Sequence, residues 1–141
     1  MKETILAIAG RPGLFRLLAQ GRNNLIVETI DEQKKRLPAG ARDRVTSLND
    51  VSMYTDEEDV RLMQVFQNLS QIHGGKPIAL SHKSATDAEL DAFMAEALPK
   101  YDRDRVRHSD MRKLLQWYNI LVTNGYTDFS DEDEAEKTEE A

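Results

Sequence analysis

The first 54 residues are cut by turn-forming residues at intervals too short for helices. Gly10-Arg11-Pro12-Gly13, Gly21-Arg22-Asn23-Asn24, Pro38-Ala39-Gly40 and Asn49-Asp50 punctuate the segment. Apolar runs of four to six residues lie between them: Ile5–Ala9, Leu14–Ala19, Leu25–Ile30 and Val45–Leu48. Runs of this length bounded by Gly, Pro and Asn are the signature of strands, because a helix needs about ten residues or more to bury a stripe. In the first turn, Arg11, Pro12 and Gly13 fall in first, second and third place. This is type II chemistry, with proline presetting φ and glycine accepting a positive one. The run Leu14–Ala19 also fits a short helix with Leu14, Leu17 and Leu18 on one face, although its length favours a strand. Lys34–Leu37 is expected as a fourth strand that ends before Pro38. Val45–Leu48 and Val51–Tyr54 then flank the Asn49-Asp50 turn. Together these make a small antiparallel sheet or a Src-homology-type barrel over residues 1–54.

Helical grammar takes over at Thr55. Thr55-Asp56-Glu57-Glu58 has the form of a capping box, and Val60, Met63, Phe66, Leu69 and Ile72 follow at helical spacing. The expected first helix covers about 56–73, packs on the sheet and stops at Gly74-Gly75. The same signal recurs at Thr86-Asp87-Ala88-Glu89, ahead of Leu90, Phe93, Met94, Ala97 and Leu98, with Pro99 closing that helix. A third helix is expected from Ser109 as N-cap through Met111, Leu114, Leu115, Tyr118, Leu121 and Val122, with Gly125 in the left-handed position after it. The last two helices would form a hairpin. The fold class is therefore α+β, divided as a β-rich unit with one packing helix (1–73), a linker (74–85), a helical hairpin (86–129) and a disordered acidic tail (130–141).

Charge must be divided before it says anything about partners. The chain is −6 overall, and residues 131–141 hold seven acids and one lysine, so the tail alone accounts for the total. Residues 1–54 carry nine basic and six acidic side chains, the one region with a clear positive excess. No cysteine is present, which excludes disulfides, thiolate zinc sites and cysteine nucleophiles. The start Met-Lys-Glu-Thr and the brevity of Ile5–Gly10 do not fit a signal peptide, so a cytoplasmic setting is expected.

No constellation of reactive residues stands out. His73, His82 and His108 are scattered and lack the spacing of a metal site. Asp102-Arg103-Asp104-Arg105 pairs its own charges more readily than it binds a cation. The turn at 10–13 lacks phosphate-loop spacing. No catalytic, cofactor or metal residues are therefore expected. The candidate contact residues are Arg11 in the first turn, the basic segment Lys34, Lys35, Arg36, Arg42 and Arg44, and Trp117. Helical geometry sets Trp117 on the flank of the stripe that holds Tyr118. These point to a non-catalytic protein-interaction or adaptor module whose partner is an unknown protein. The alternative is a nucleic-acid or ribosome-associated binder using the basic loop 34–44. The acidic tail is also expected to be able to fold back on that loop and screen it.

Three stretches carry a resemblance: ILAIAGRPGLFRLLAQGRNNLIVETID, SLNDVSMYTDEE, and YDRDRV with SDMRKLLQWYNILV. The segments Ile8-Ala9-Gly10-Arg11-Pro12-Gly13 and Trp117-Tyr118-Asn119 are its most specific parts. They resemble a family of small uncharacterised bacterial proteins, known as domains of unknown function, over about residues 3–129. The resemblance implies a β-rich N-terminal half and a helical C-terminal half. It brings no activity, cofactor or catalytic residue.

Overall fold

In a computed structural model of the chain, residues 3–11, 13–40 and 43–129 are described. Pro12, Arg42 and the tail 130–141 lie outside them, and with them the expectations for a proline-centred turn and a disordered tail. The N-terminal half is a five-stranded antiparallel sheet of β1 (Ile5–Ile8), β2 (Phe15–Gln20), β3 (Asn24–Thr29), β4 (Arg36–Gly40) and β5 (Val45–Ser47). Its spatial order is β4-β3-β2-β1-β5. The run at 14–19 is thus a strand, and a register shift between Leu17 and Ala19 makes room for Leu18. The sheet is open, with β4 and β5 as its unpaired edges, so the closed-barrel alternative does not hold.

Two of the strand expectations need correcting. β4 begins later than expected and runs straight through Pro38. The reason lies in the register. Thr29 donates its amide to the Lys35 carbonyl, and Val27 lies opposite Leu37. Hydrogen-bonded pairs alternate along an antiparallel ladder, so Ile26 and Pro38 form a non-bonded pair and the proline nitrogen faces away from β3. Proline is tolerated there because β4 is an edge, and it removes a donor from that edge. The second correction concerns Val45–Leu48 and Val51–Tyr54, which do not pair across Asn49-Asp50. β5 pairs with β1, and Leu48–Asp50 forms a 3-10 turn. β6 (Ser52–Met53) instead pairs with β7 (Val60–Arg61) in a separate ribbon.

That ribbon also explains why the first helix starts late. α1 covers Leu62–His73, not 56–73. Extended pairing on either side of a turn takes up residues 51–61: β6 pairs with β7, Leu62 donates to the Val51 carbonyl, and Thr55 bridges to Tyr101. The capping-box residues build a turn instead. The buried Thr55 hydroxyl donates to the Glu58 carbonyl and accepts from the Glu57 amide.

α2 (Asp87–Ala97) begins at Thr86 as expected, with both capping-box bonds present: the Glu89 amide to the Thr86 hydroxyl at 3.1 Å, and the Thr86 amide to the Glu89 carboxylate at 2.9 Å. Thr86→Ala should lower the unfolding free energy by about 1 kcal/mol, read as a small fall in the midpoint of chemical denaturation. α3 covers His108–Thr123, so it starts ahead of Ser109. Its N-cap is Arg107, whose amide donates to the Asp110 carboxylate at 3.0 Å. Gly125 follows with φ +94°, the left-handed geometry expected of it. His73 sits in the last turn of α1, and His108 is the first residue of α3.

The two faces of the sheet have different partners. Leu6, Ile8, Phe15, Val27 and Ala39 form a small buried cluster, and the partly buried side chains around it are also strand residues. The other face contributes Ile5, to which Leu14 and Ile30 from just outside the strands are added. These join the buried stripes of all three helices in the main core. Residues 74–85 lie along α3. Asn119 bonds both the amide and the carbonyl of Ile78, and Arg112 donates to the carbonyls of His82 and Ala85. No helix among the described residues is long and apolar enough to cross a membrane.

A candidate cationic groove between the sheet and the last helix

The helix-facing side of β1 is built from small residues. Ala7 lies opposite Thr46, and the Ala9 amide donates to the Arg44 carbonyl at 2.9 Å. Directly opposed residues share a face of the sheet, so Ala7, Ala9, Arg44 and Thr46 all face the same way. Two alanines and a threonine leave this floor shallow beside α3. A groove of about 690 Å³ remains. Its far wall is the stripe Asp110, Lys113, Leu114 and Trp117, spaced i, i+3, i+4 and i+7 on α3. Val51, Met53 and Tyr54 from the β6 strand and its continuation close one end. Gly10, Arg11 and Gly13 after β1 complete the lining.

Three of the sequence-predicted contact residues come together here: Arg11, Arg44 and Trp117 all line the groove. Arg11 lies 3.8 Å from Asp43, a loose pair between half-buried groups. Arg44 and Lys113 are exposed, and no carboxylate among the described residues pairs with either. Trp117 is half-buried at the edge of the core, while Tyr118 is fully buried with its hydroxyl donating to the Lys76 carbonyl. Cationic side chains and an aromatic surface therefore line the same groove. At the rim, the Arg105 guanidinium stands 4.2 Å over the Tyr54 ring and is held there by Asp102. This is the self-pairing expected of residues 102–105, and the Arg105 partnership holds the Asp102 carboxyl below the ordinary range.

The remaining basic residues lie elsewhere. Lys34 and Lys35 occupy the turn before β4, and Arg36 opens that strand, at the opposite edge of the sheet from β5. Their charge is offset locally. Lys34 is held at φ +48° by Asp31, whose carboxylate accepts from the amides of Gln33 and Lys34 and from the Thr29 hydroxyl. Arg36 reaches the Glu28 carboxylate at 3.4 Å. Arg42 lies outside the described residues.

Sequence reasoning missed Glu28, a nearly buried carboxylate held by two arginines on neighbouring strands. Register puts Arg16 and Arg36 directly across from it, and Arg16 Nε reaches it at 2.8 Å. The Arg16 hydrogen bond draws the Glu28 carboxyl below its usual range, and the Arg16 guanidinium is raised in return. Beside this ladder the Tyr126 hydroxyl donates to Glu3, and burial together with Glu3 pushes the phenol up to about 12. A carboxylate with a depressed folded pKa stabilises above its unfolded pKa, and the contribution is lost as pH falls through the folded value. The gap in melting temperature between the wild type and Glu28→Gln should thus be constant at neutral pH. It should shrink below about pH 4, where the unfolded carboxylate also protonates. The alternation Arg16-Leu17 and Val27-Glu28 carried the signal, since a charge out of phase with apolar strand residues marks the opposite face.

Lys113 and the alanine floor were also missed. Their signal was the small-residue alternation at Ala7 and Ala9, together with the i+4 spacing of Lys113 and Trp117.

Comparison with known proteins adds the family and leaves the activity open. None of the curated proteins matches the chain. A solution NMR structure of a protein from Bacteroides vulgatus, a structural genomics target, is 53% identical. That match covers 92% of this chain and 91% of the other, with a TM-score of 0.76. Residues 3–48 match the family model for a domain of unknown function, DUF5606, and residues 51–121 match that for a second, DUF6852. The two matches meet at the 3-10 turn between the sheet and the β6–β7 ribbon. The chain belongs to this family of domains of unknown function, with a DUF5606 sheet followed by DUF6852 helices.

Proposed function

We propose that this protein is a non-catalytic interaction module whose groove takes an acidic, extended segment of a partner protein with an apolar side chain for Trp117. The carrying observation is that Arg11, Arg44, Lys113 and Trp117 line one open groove. Aromatic and arginine side chains at the centre of a concave patch are the residue types that dominate binding energy in interfaces. Arg44 and Lys113, with which no described carboxylate pairs, would steer an acidic partner and make association salt-dependent. A nucleic-acid role gains less support, because the basic residues at 34–36 stand among Glu28, Asp31 and Glu32.

Trp117 is the single tryptophan of the chain, so it reports directly on its own site. Titrating the protein with a synthetic acidic peptide containing one leucine should shift Trp117 emission to the blue, with affinity falling as salt rises. A single-stranded oligonucleotide of equal charge should produce a weaker response. An equal or stronger response to the oligonucleotide would put nucleic acid in the partner's place, and silence with the peptide would remove the proposal.

A further inference from the structure

The groove has a candidate occupant within its own chain. Residues 131–141, Asp-Glu-Asp-Glu-Ala-Glu-Lys-Thr-Glu-Glu-Ala, carry the whole net charge of the molecule. We infer that this acidic segment occupies the cationic rim of the groove intramolecularly and competes there with the acidic partner segment. The inference rests on the reading of the groove given above.

Three observations favour it. First, the lining charges are Arg11, Arg44 and Lys113 against Asp110, an excess of positive charge even when Asp43 is counted. The cluster Lys34, Lys35 and Arg36 has no such excess, because Glu28, Asp31 and Glu32 match it one for one. The charge balance thus favours the groove, which includes Arg44, over the rest of the basic loop 34–44 that the sequence offered as the tail's target.

Second, the tail starts from a fixed point. The Phe129 ring lies 5.4 Å from that of Phe66 and 6.5 Å from that of Tyr118, and its amide donates to Gln67 at 2.8 Å. Twelve residues beyond it (130–141) span up to about 40 Å when extended. A body of this size has a radius of gyration of about 14 Å, so the groove is within reach. Third, a tether this short gives an effective concentration on the order of millimolar. Exposed ion pairs are individually weak, but several acting on a segment already at that concentration suffice for partial occupancy.

The segment has no aromatic or long aliphatic side chain, so it cannot fill the place of a side chain packed on Trp117. It is a competitor for charge alone: strong enough to refuse a weakly acidic ligand and displaced by one that also brings an apolar anchor.

Because the chain has no cysteine, Ala135→Cys gives a single labelling point in the full-length protein. A nitroxide there should broaden the amides of Arg11, Arg44 and Lys113 and the Trp117 indole. The broadening should vanish at about 1 M salt, where the Debye length falls to about 3 Å. Broadening centred on Lys34–Arg36, or none in the folded body, would overturn the inference. In a second arm, Asp131→Asn, Glu132→Gln, Asp133→Asn and Glu134→Gln are combined in the full chain. This variant should bind the leucine-containing acidic peptide several-fold more tightly than the wild type. Equal binding would overturn the tail's role and leave the groove standing. No binding by either protein would remove the groove, and the tail inference with it.

Discussion

Phe66→Ala should lower the unfolding free energy by about 3–5 kcal/mol, the largest single effect on stability expected of a point change in this chain. Phe66 is fully buried in α1 and belongs to the main core. Its ring lies 6.5 Å from Tyr118 of α3 and 5.4 Å from Phe129, both tilted, in the range where aromatic pairs add to simple burial. Truncation therefore removes the apolar transfer term and the ring contacts together. The cavity it leaves is walled in part by the Tyr118 and Phe129 rings, both buried themselves. A domain of this size has typical stability of 5–15 kcal/mol, so the variant would stand near the edge of folding. Urea denaturation followed by far-ultraviolet circular dichroism checks it. A change under about 1 kcal/mol would mean that the site collapses freely and that the ring contacts add little.

The second large effect is on binding. Arg44→Glu should weaken the acidic peptide by about 30-fold or more, the scale of an interface anchor worth 2 kcal/mol, and charge reversal adds repulsion to loss. Its melting temperature should hardly move, because Arg44 is exposed and no described carboxylate depends on it. The split between binding and stability is the informative part. Lys35→Glu is the matching control: it makes the same charge change at the far edge of the sheet and should leave peptide affinity nearly unchanged. Equal losses from the two variants would mean that the protein responds to net charge rather than to a built site.

How much of this was legible in the sequence depended on how far each signal is local. Short runs between Gly and Pro turns gave β1 to β3 closely, because turn chemistry is decided by the residues in the turn. Thr86 and Gly125 were readable for the same reason. Thr55 carried an equally good capping box and yet does not start a helix. What overrode it was non-local: Val60–Arg61 pairs with β6, and Thr55 pairs with Tyr101, 46 positions away. Pro38 misled in the opposite direction, since whether a proline breaks a strand depends on the register of its neighbour. The candidate site was half legible. Arg11, Arg44 and Trp117 were singled out separately, as a turn residue, part of a basic loop and a helix flank. Only the order β4-β3-β2-β1-β5 parts Arg44 from Lys34–Arg36 and puts it beside α3. Glu28 escaped notice because a carboxylate inside a strand gains its meaning from arginines on two other strands.

The most direct test of the groove is to follow every backbone amide of the full-length chain while the leucine-containing acidic peptide is added. The account predicts chemical-shift changes concentrated at residues 7–11, 44–46 and 113–117 and at the Trp117 indole, growing as salt is lowered. Changes centred on 34–36, or spread evenly over the surface with no focus on Trp117, would contradict it.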